Sequence, residues 1–232
     1  MKAEVTLTHV HLETQLKISE QSVQLLIVEN PGEYFNLVTE IDCALNDGES
    51  NFIFCKAGEV INPAKYGAII TDIFHFDLND KKILNLLQKR LENITYQEKF
   101  TLFNQLNTQT LSFLSEVAFC LPFSLDYDEL SPIDFFKASG IKFEKTYSSL
   151  EEKIICYINA LIELKNCEFF IFVNLKSVLS DEKIKQVYSH CQAEQVGLLL
   201  IENSKQRPLL PCEKAVIITE DLCEILENYN EI

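Results

Sequence analysis

The 232-residue sequence predicts an α/β fold, a parallel-sheet head with a long α-helical leg inserted into it. Three observations lead there. Short continuous apolar runs recur at Val23–Val28, Ala68–Ile70, Phe169–Val173, Val196–Ile201 and Ala215–Ile218. Strands covered on both faces read this way rather than as alternation. Amphipathic helical patterns follow several of the runs, as a parallel sheet requires for its crossovers. Between the strand-rich parts lie two apolar seams, Phe103, Leu106, Thr110, Phe113, Val117, Cys120 and Leu150, Ile154, Tyr157, Leu161, Leu164. Their steps of three and four are those of long helices packed on one another; the alternative is that both cover the sheet, and the narrowness of the seams favours the first. The expected domains are therefore an α/β head, 1–94 and 166–232, and a helical leg, 95–165.

The elements follow in order. Residues 2–8 alternate as an edge strand does, and His9 and His11 share one face of its continuation without an evident third metal ligand. Val23–Val28 runs into Glu29-Asn30-Pro31-Gly32 and a helix carrying Tyr34, Leu37, Val38 and Ile41. Asn46-Asp47-Gly48 is a turn signal before a strand at Asn51–Cys55. The stretch Gly67–Glu92 holds a strand, an acid at its carboxyl end (Asp72), and a helix capped by Asn79 or Asp80 with Ile83, Leu84, Leu87 and Leu91 on one face. Ser131-Pro132-Ile133-Asp134 is a helix start that Gly140 can end. Ser180-Asp181-Glu182 starts another helix, and Glu220–Tyr229 is expected to form the last one.

Composition narrows the class. A 47% hydrophobic fraction supports a real core. The opening residues, MKAEVTLTHVHLETQ, do not read as a secretory leader, and no apolar run approaches the roughly 20 residues of a membrane span. Eight cysteines without a C-x-x-C pair predict buried free thiols in a reducing cytoplasm. The net charge of −15 argues against phosphate contact unless lysines are gathered locally.

Catalytic motifs are missing where they are looked for. The turn after Val28 has the strand-Gly-helix layout of a phosphate loop but no G-x-x-x-x-G-K-[ST], and Pro31 has no N–H to offer. Asp72 stands where a metal-positioning acid of a nucleotide hydrolase would, with nothing to hold a triphosphate. The head therefore reads as a degenerate P-loop-like sheet. Asp126, Asp128 and Glu129 offer oxygen ligands to a hard cation, or the acids of a metal-dependent nuclease. A solvated acidic turn is the simpler reading of their spacing. Lys137, Lys142 and Lys145 form a small basic cluster after the short helix.

The segments Ile70-Thr71-Asp72-Ile73, Phe76-Asp77-Leu78-Asn79, Leu125-Asp126-Tyr127-Asp128-Glu129, Phe136–Glu144 and Ile171-Phe172-Val173-Asn174 stand in an order and spacing that covers most of the chain. In this the sequence resembles the Csn-family adaptation proteins of type II-A CRISPR systems, among their short members. The resemblance implies a non-enzymatic homotetrameric ring that threads double-stranded DNA ends through a lysine-lined hole. It implies a role in spacer acquisition, in immunity against phage and plasmids, beside the CRISPR integrase subunits and the guide-RNA nuclease, with no membrane. Lys137 and Lys142 match family lysines and are the implied DNA contacts, with Lys145 as a neighbour. Asp126, Asp128 and Glu129 match the acidic loop linked to structural Ca²⁺. The sequence departs most at Cys120–Ser124, where the family pattern carries acids. The alternatives are a P-loop-like nucleotide hydrolase and a metal-dependent nuclease.

Overall fold

The structure is a computed structural model and describes residues 4–229. In chain order the elements are β1 (Val5–Thr8), β2 (Leu16–Ile18), β3 (Val23–Val28), α1 (Pro31–Leu45), β4 (Ile53–Lys56), β5 (Glu59–Val60), α2 (Pro63–Tyr66), β6 (Gly67–Ile70), α3 (Lys81–Glu98), α4 (Phe100–Phe119), α5 (Pro132–Ala138), α6 (Leu150–Lys165), β7 (Phe169–Val173), α7 (Leu175–Val178), α8 (Asp181–Ala193), β8 (Gly197–Glu202), β9 (Glu213–Ile218) and β10 (Glu224–Asn228). They divide into two compact units, Met1–Asp77 with Thr146–Ile232, and Leu78–Lys145.

The first unit is the α/β part. Its main sheet has the order β10-β9-β3-β8-β7-β6, parallel from β9 to β6. Strands β3, β7 and β8 are buried at every residue, as their unbroken apolar runs require. A smaller antiparallel sheet, β2-β1-β4-β5, shares the same core through Leu7, Leu16, Ile18 and Phe54. Helix α1 closes that core with Leu37, Ile41, Ala44 and Leu45.

Several expectations change here. Strand β1 lies inside its sheet rather than at an edge, and the part of the expected strand at residues 2–3 lies outside the described residues. His9 is buried, stacked on Phe52 at 4.4 Å with its Nε2 3.1 Å from Glu40 Oε2, so it belongs to the core rather than to a surface. The expected last helix is the hairpin strand β10, because Leu222 turns in a left-handed conformation and Thr219 and Cys223 pair through their backbones. There β10 covers the edge of β9. Helix α6 packs on α8 within the first unit, with Ile154, Ile158 and Leu161 buried, where the seam predicted α4 as its partner. Helix α3 groups with α5 and α4. The division accordingly falls at residues 77/78 and 145/146 rather than 94/95 and 165/166. All eight cysteines are free, but only Cys167 and Cys191 are buried. Burial pushes their thiols up, to about 11 and about 12 respectively.

The second unit is helical. Phe103 of α4 is buried and meets the Phe135 ring of α5 at 6.2 Å, while α3 packs on α5. Toward its carboxyl end α4 exposes Phe113, Val117 and Phe119. Among the described residues no helix is long and apolar enough to cross a membrane.

Candidate nucleic-acid interface

The carboxyl ends of the parallel strands are where ligands gather in α/β sheets. At the end of β3, Asn30 caps α1 by accepting the Glu33 N–H (3.0 Å), and its carboxamide donates to the Glu220 carbonyl (3.1 Å). Pro31 follows at once as the first helical residue. The turn is too short to wrap a phosphate. The neighbouring strand β8 ends in Glu202, which is 1% exposed. Its Oε1 accepts the Lys176 N–H at 2.8 Å, and its Oε2 has no partner among the described residues. Burial pushes this carboxyl up to about 7, against the pull of Lys176 and Arg207 and with the push of Glu213. Asn174, left-handed after β7, and Tyr34 on α1 also bury an unpartnered oxygen. Burial raises the Tyr34 hydroxyl, the Asn174 side chain opposes that shift, and charge on Glu202 adds to it.

Lys176, whose N–H meets Glu202 at the end of β8, does not offer its Nζ to a triphosphate. Lys176 is buried and its Nζ is held by both oxygens of Glu213 (2.8 and 2.7 Å). Asp72 follows β6, with β7 and β8 between it and β3. At about 4.8 Å per strand that is roughly 14 Å from the turn, so it does not face β3 as the hydrolase reading required. Asp72 instead accepts from the His75 ring (2.7 Å) and the Phe74 and His75 N–H groups, and the His75 contact foremost holds its carboxyl below the usual range.

The polar chemistry of the second unit differs. Ser131 Oγ accepts the Asp134 N–H (3.2 Å), which starts α5, and Gly140 at φ +63° ends its last turn. Lys137 is exposed, with Nζ 3.8 Å from Asp134 Oδ1, and Lys142 is exposed on the other side of the glycine. Lys145 is exposed too. The segment 141–148 has no regular secondary structure. It is tied down at Phe143, whose N–H donates to Asn79 Oδ1 (2.8 Å) and whose carbonyl accepts from Asn79 Nδ2 (3.1 Å). Asp80, not Asn79, caps α3, accepting the Lys82 N–H at 2.8 Å.

Asp126, Asp128 and Glu129 are exposed on an irregular stretch, and Asp126 Oδ1 accepts the next residue's N–H (3.1 Å). Among the described residues no group of three or more His, Cys, Asp or Glu is gathered to hold a metal ion. Within one chain these acids are therefore not a preformed calcium cage.

Charge is divided unevenly between the units. Residues 78–145 carry nine acids and eight bases, leaving 26 acids and 12 bases on the rest of the chain. The helical unit is thus nearly neutral at −1, and the α/β unit carries −14. The sequence reading missed the exposed bases of α3, Lys81, Lys82, Lys89 and Arg90. Counting charge by segment would have found them. The same unit has an apolar cavity of about 480 Å³ between α3, α4 and α5, lined by Leu91, Ile94, Leu102, Phe103, Leu106 and Phe135.

A sequence model of the family described as CRISPR-associated protein (Cas_Csn2) matches residues 45–222, most of the chain. The chain belongs to the Csn2 family of CRISPR-associated proteins. It is 27% identical over 137 residues to a CRISPR-associated protein Csn2 of Streptococcus agalactiae, across 58% of this chain and 62% of that relative. With a Csn2 of Enterococcus faecalis it shares 25% over 160 residues, 67% of this chain and 72% of the relative. The match to the Streptococcus protein thus spans less than two thirds of its length. Among solved structures, a nucleotide-free ATP-binding cassette from an ABC transporter is similar at a TM-score of 0.47 and 13% identity, covering 97% of this chain and 91% of that one. A bacterial Atm1-family ABC exporter with ATP bound is similar at a TM-score of 0.44 and 10% identity, covering 94% of this chain and 37% of that one. The α/β class and the Csn2 membership read from the ordered motifs both stand.

Proposed function

We propose that this Csn2-family chain is a non-enzymatic, double-stranded DNA-binding protein of CRISPR spacer acquisition. On this reading four copies form a ring that threads DNA ends and works beside the CRISPR integrase subunits and the guide-RNA nuclease. The observation that carries it is the charge division. The chain as a whole repels phosphate, yet the helical unit concentrates eight of its 20 bases on 68 residues, with Lys137 and Lys142 exposed on either side of Gly140. Repeated by symmetry around a hole, a few such lysines make a basic channel in an acidic particle. Phosphate contacts of this kind bind without base readout and weaken steeply with salt.

The absence of chemistry is part of the proposal. The acids Glu29 and Glu202 at the strand ends and the engaged Lys176 would oppose a triphosphate, which supports binding rather than hydrolysis. Ca²⁺ enters as a structural ion at Asp126, Asp128 and Glu129, with the remaining oxygens supplied by backbone or by another copy. The exposed apolar residues of α4 support self-association through the helical unit.

The test is retention of linear duplex DNA together with solution mass. Lys137→Glu combined with Lys142→Glu should abolish retention while leaving the mass unchanged. A chelator should shift the mass toward the monomer. Retention equal to the wild type would remove the lysine assignment, and a monomer that ignores DNA would remove the reading as a whole.

A further inference from the structure

Two of the segments that carry the family resemblance meet at a single point. Asn79 closes the first of them, Phe76-Asp77-Leu78-Asn79, and Phe143 lies in the second, Ile141-Lys142-Phe143-Glu144. They are 64 residues apart in the chain, and the Asn79 carboxamide forms both hydrogen bonds to the Phe143 backbone, 2.8 and 3.1 Å. A side-chain amide that both donates to and accepts from one residue's backbone copies the pairing of an adjacent strand.

We propose that Asn79 is the positioning residue for Lys142, locking the segment after α5 so that Lys142 and Lys137 present a fixed pair of charges to a phosphate backbone. The proposal rests on the reading of Lys137 and Lys142 as DNA contacts. Lys142 has no secondary structure of its own to hold it. It sits between two anchors: the Ile141 N–H reaches the Phe136 carbonyl of α5 at 3.5 Å, and Phe143 is held by Asn79 at the entrance to α3. Helices α3 and α5 pack on each other, so both anchors lead to one rigid pair. The Ile141 contact is long for a hydrogen bond, which leaves Asn79 as the stronger of the two. A lysine on an unanchored loop must be ordered before it can neutralise a phosphate, and where that cost exceeds the gain of one contact the contact is not made, whereas a pre-positioned lysine makes it. Asn79 suits the role because Asp80 carries out the capping of α3, so the cap does not require the Asn79 carboxamide.

The test is DNA affinity of the full-length protein as a function of salt, with a linear duplex of about 30 base pairs as probe, for Lys142→Ala, Asn79→Ala and the double variant. Lys142→Ala should lower affinity several-fold and flatten the salt dependence by about 0.9 in log–log slope for each phosphate no longer neutralised. Asn79→Ala should do nearly the same with Lys142 still present, and the double variant should lose little more than either single one. A merely structural role for Asn79 would not reproduce the change in slope. Should Asn79→Ala melt below the assay temperature, Asn79→Asp decides, since it keeps the acceptor for the Phe143 N–H and should bind between the wild type and Lys142→Ala. If Lys142→Ala binds DNA like the wild type, the underlying lysine reading fails. If Lys142→Ala weakens binding while Asn79→Ala or Asn79→Asp leaves it unchanged, or if the two losses simply add, the positioning role is overturned.

Discussion

The Lys176 N–H donates to Glu202 Oε1 at 2.8 Å, and among the described residues this is the one hydrogen bond that the buried Glu202 carboxyl makes. A carboxylate with one satisfied oxygen, 1% exposed, sits badly in the folded state. Burial raises its pKa from 4.5 to about 7. The folded chain therefore holds a proton that the unfolded chain releases across that interval. Stability is fully retained below about pH 4.5 and falls as pH rises through about 7, by at most about 3 kcal/mol from this group. Glu202→Gln keeps the acceptor for Lys176 and removes the charge. Its urea midpoint should exceed the wild type's at about pH 8 and converge on it near about pH 5. Parallel pH profiles for the two proteins would contradict the assignment.

Lys176 is also half of a second buried relationship. Glu213 accepts both hydrogen bonds from Lys176 Nζ, the Tyr188 hydroxyl at 2.7 Å and the Leu210 N–H at 2.7 Å, joining α7, α8 and β9. Lys176→Met leaves the carboxylate with the Tyr188 and Leu210 donors and no counter-charge, and should cost about 3–5 kcal/mol. Glu213→Gln on that background should recover part of the loss. Equal destabilisation by the single and double variants, measured by denaturant unfolding, would count against a coupled pair.

Gly67 is set by close approach rather than by its backbone angles. A Cβ there would lie 2.3 Å from Cε2 and Cζ of Phe169, which is 1% exposed and stacked near Phe54. The ring has no free space to move into, so Gly67→Ala should destabilise by about 1–3 kcal/mol. The gain from a stiffer unfolded chain, about 0.4–1 kcal/mol, offsets only part of this. A melting temperature at or above that of the wild type would show that the β6–β7 packing relaxes.

The readable parts of the fold are those set by local pattern. Phe169–Val173 and Val23–Val28 announce buried strands because two covered faces leave no polar alternation. Ser131, Pro132 and Gly140 mark the ends of α5 through caps that act within a turn of the chain. What pattern does not carry is partner choice. The stripe on α6 has the right period, but period does not say whether α4 or α8 closes it. Strand order likewise depends on crossovers, which is why Asp72 reads as the metal-positioning acid of a hydrolase although it stands at the far edge from β3. Asn79 and Phe143, or Lys176 and Glu213, meet across 64 and 37 residues and leave no local trace in the sequence. Lys137 and Lys142 were visible as charges, whereas the device that holds Lys142 was not.

Assembly is expected to run through α4. Phe113 and Phe119 are 63% and 91% exposed on this helix, with Val117 between them at 48%, so a whole stretch of it shows apolar surface to solvent. Single exposed apolar residues need no explanation, but Phe113 and Val117 lie one turn apart on a shared face, with Phe119 exposed on another side at the carboxyl end, and such a cluster marks an interaction surface. Substituting Phe113→Glu and Phe119→Glu removes nothing from the core and should leave monomer stability within about 0.5 kcal/mol. In an interface, each would bury an unpaired charge against a second copy and cost several kcal/mol. Solution mass should therefore fall toward that of one chain while the unfolding midpoint measured on the monomer barely moves. DNA retention should fall with it, because isolated chains lose the symmetric repetition of Lys137 and Lys142. An unchanged mass with both substitutions in place would put the assembly surface elsewhere on the chain. An unchanged mass with DNA retention abolished would instead tie this face directly to DNA.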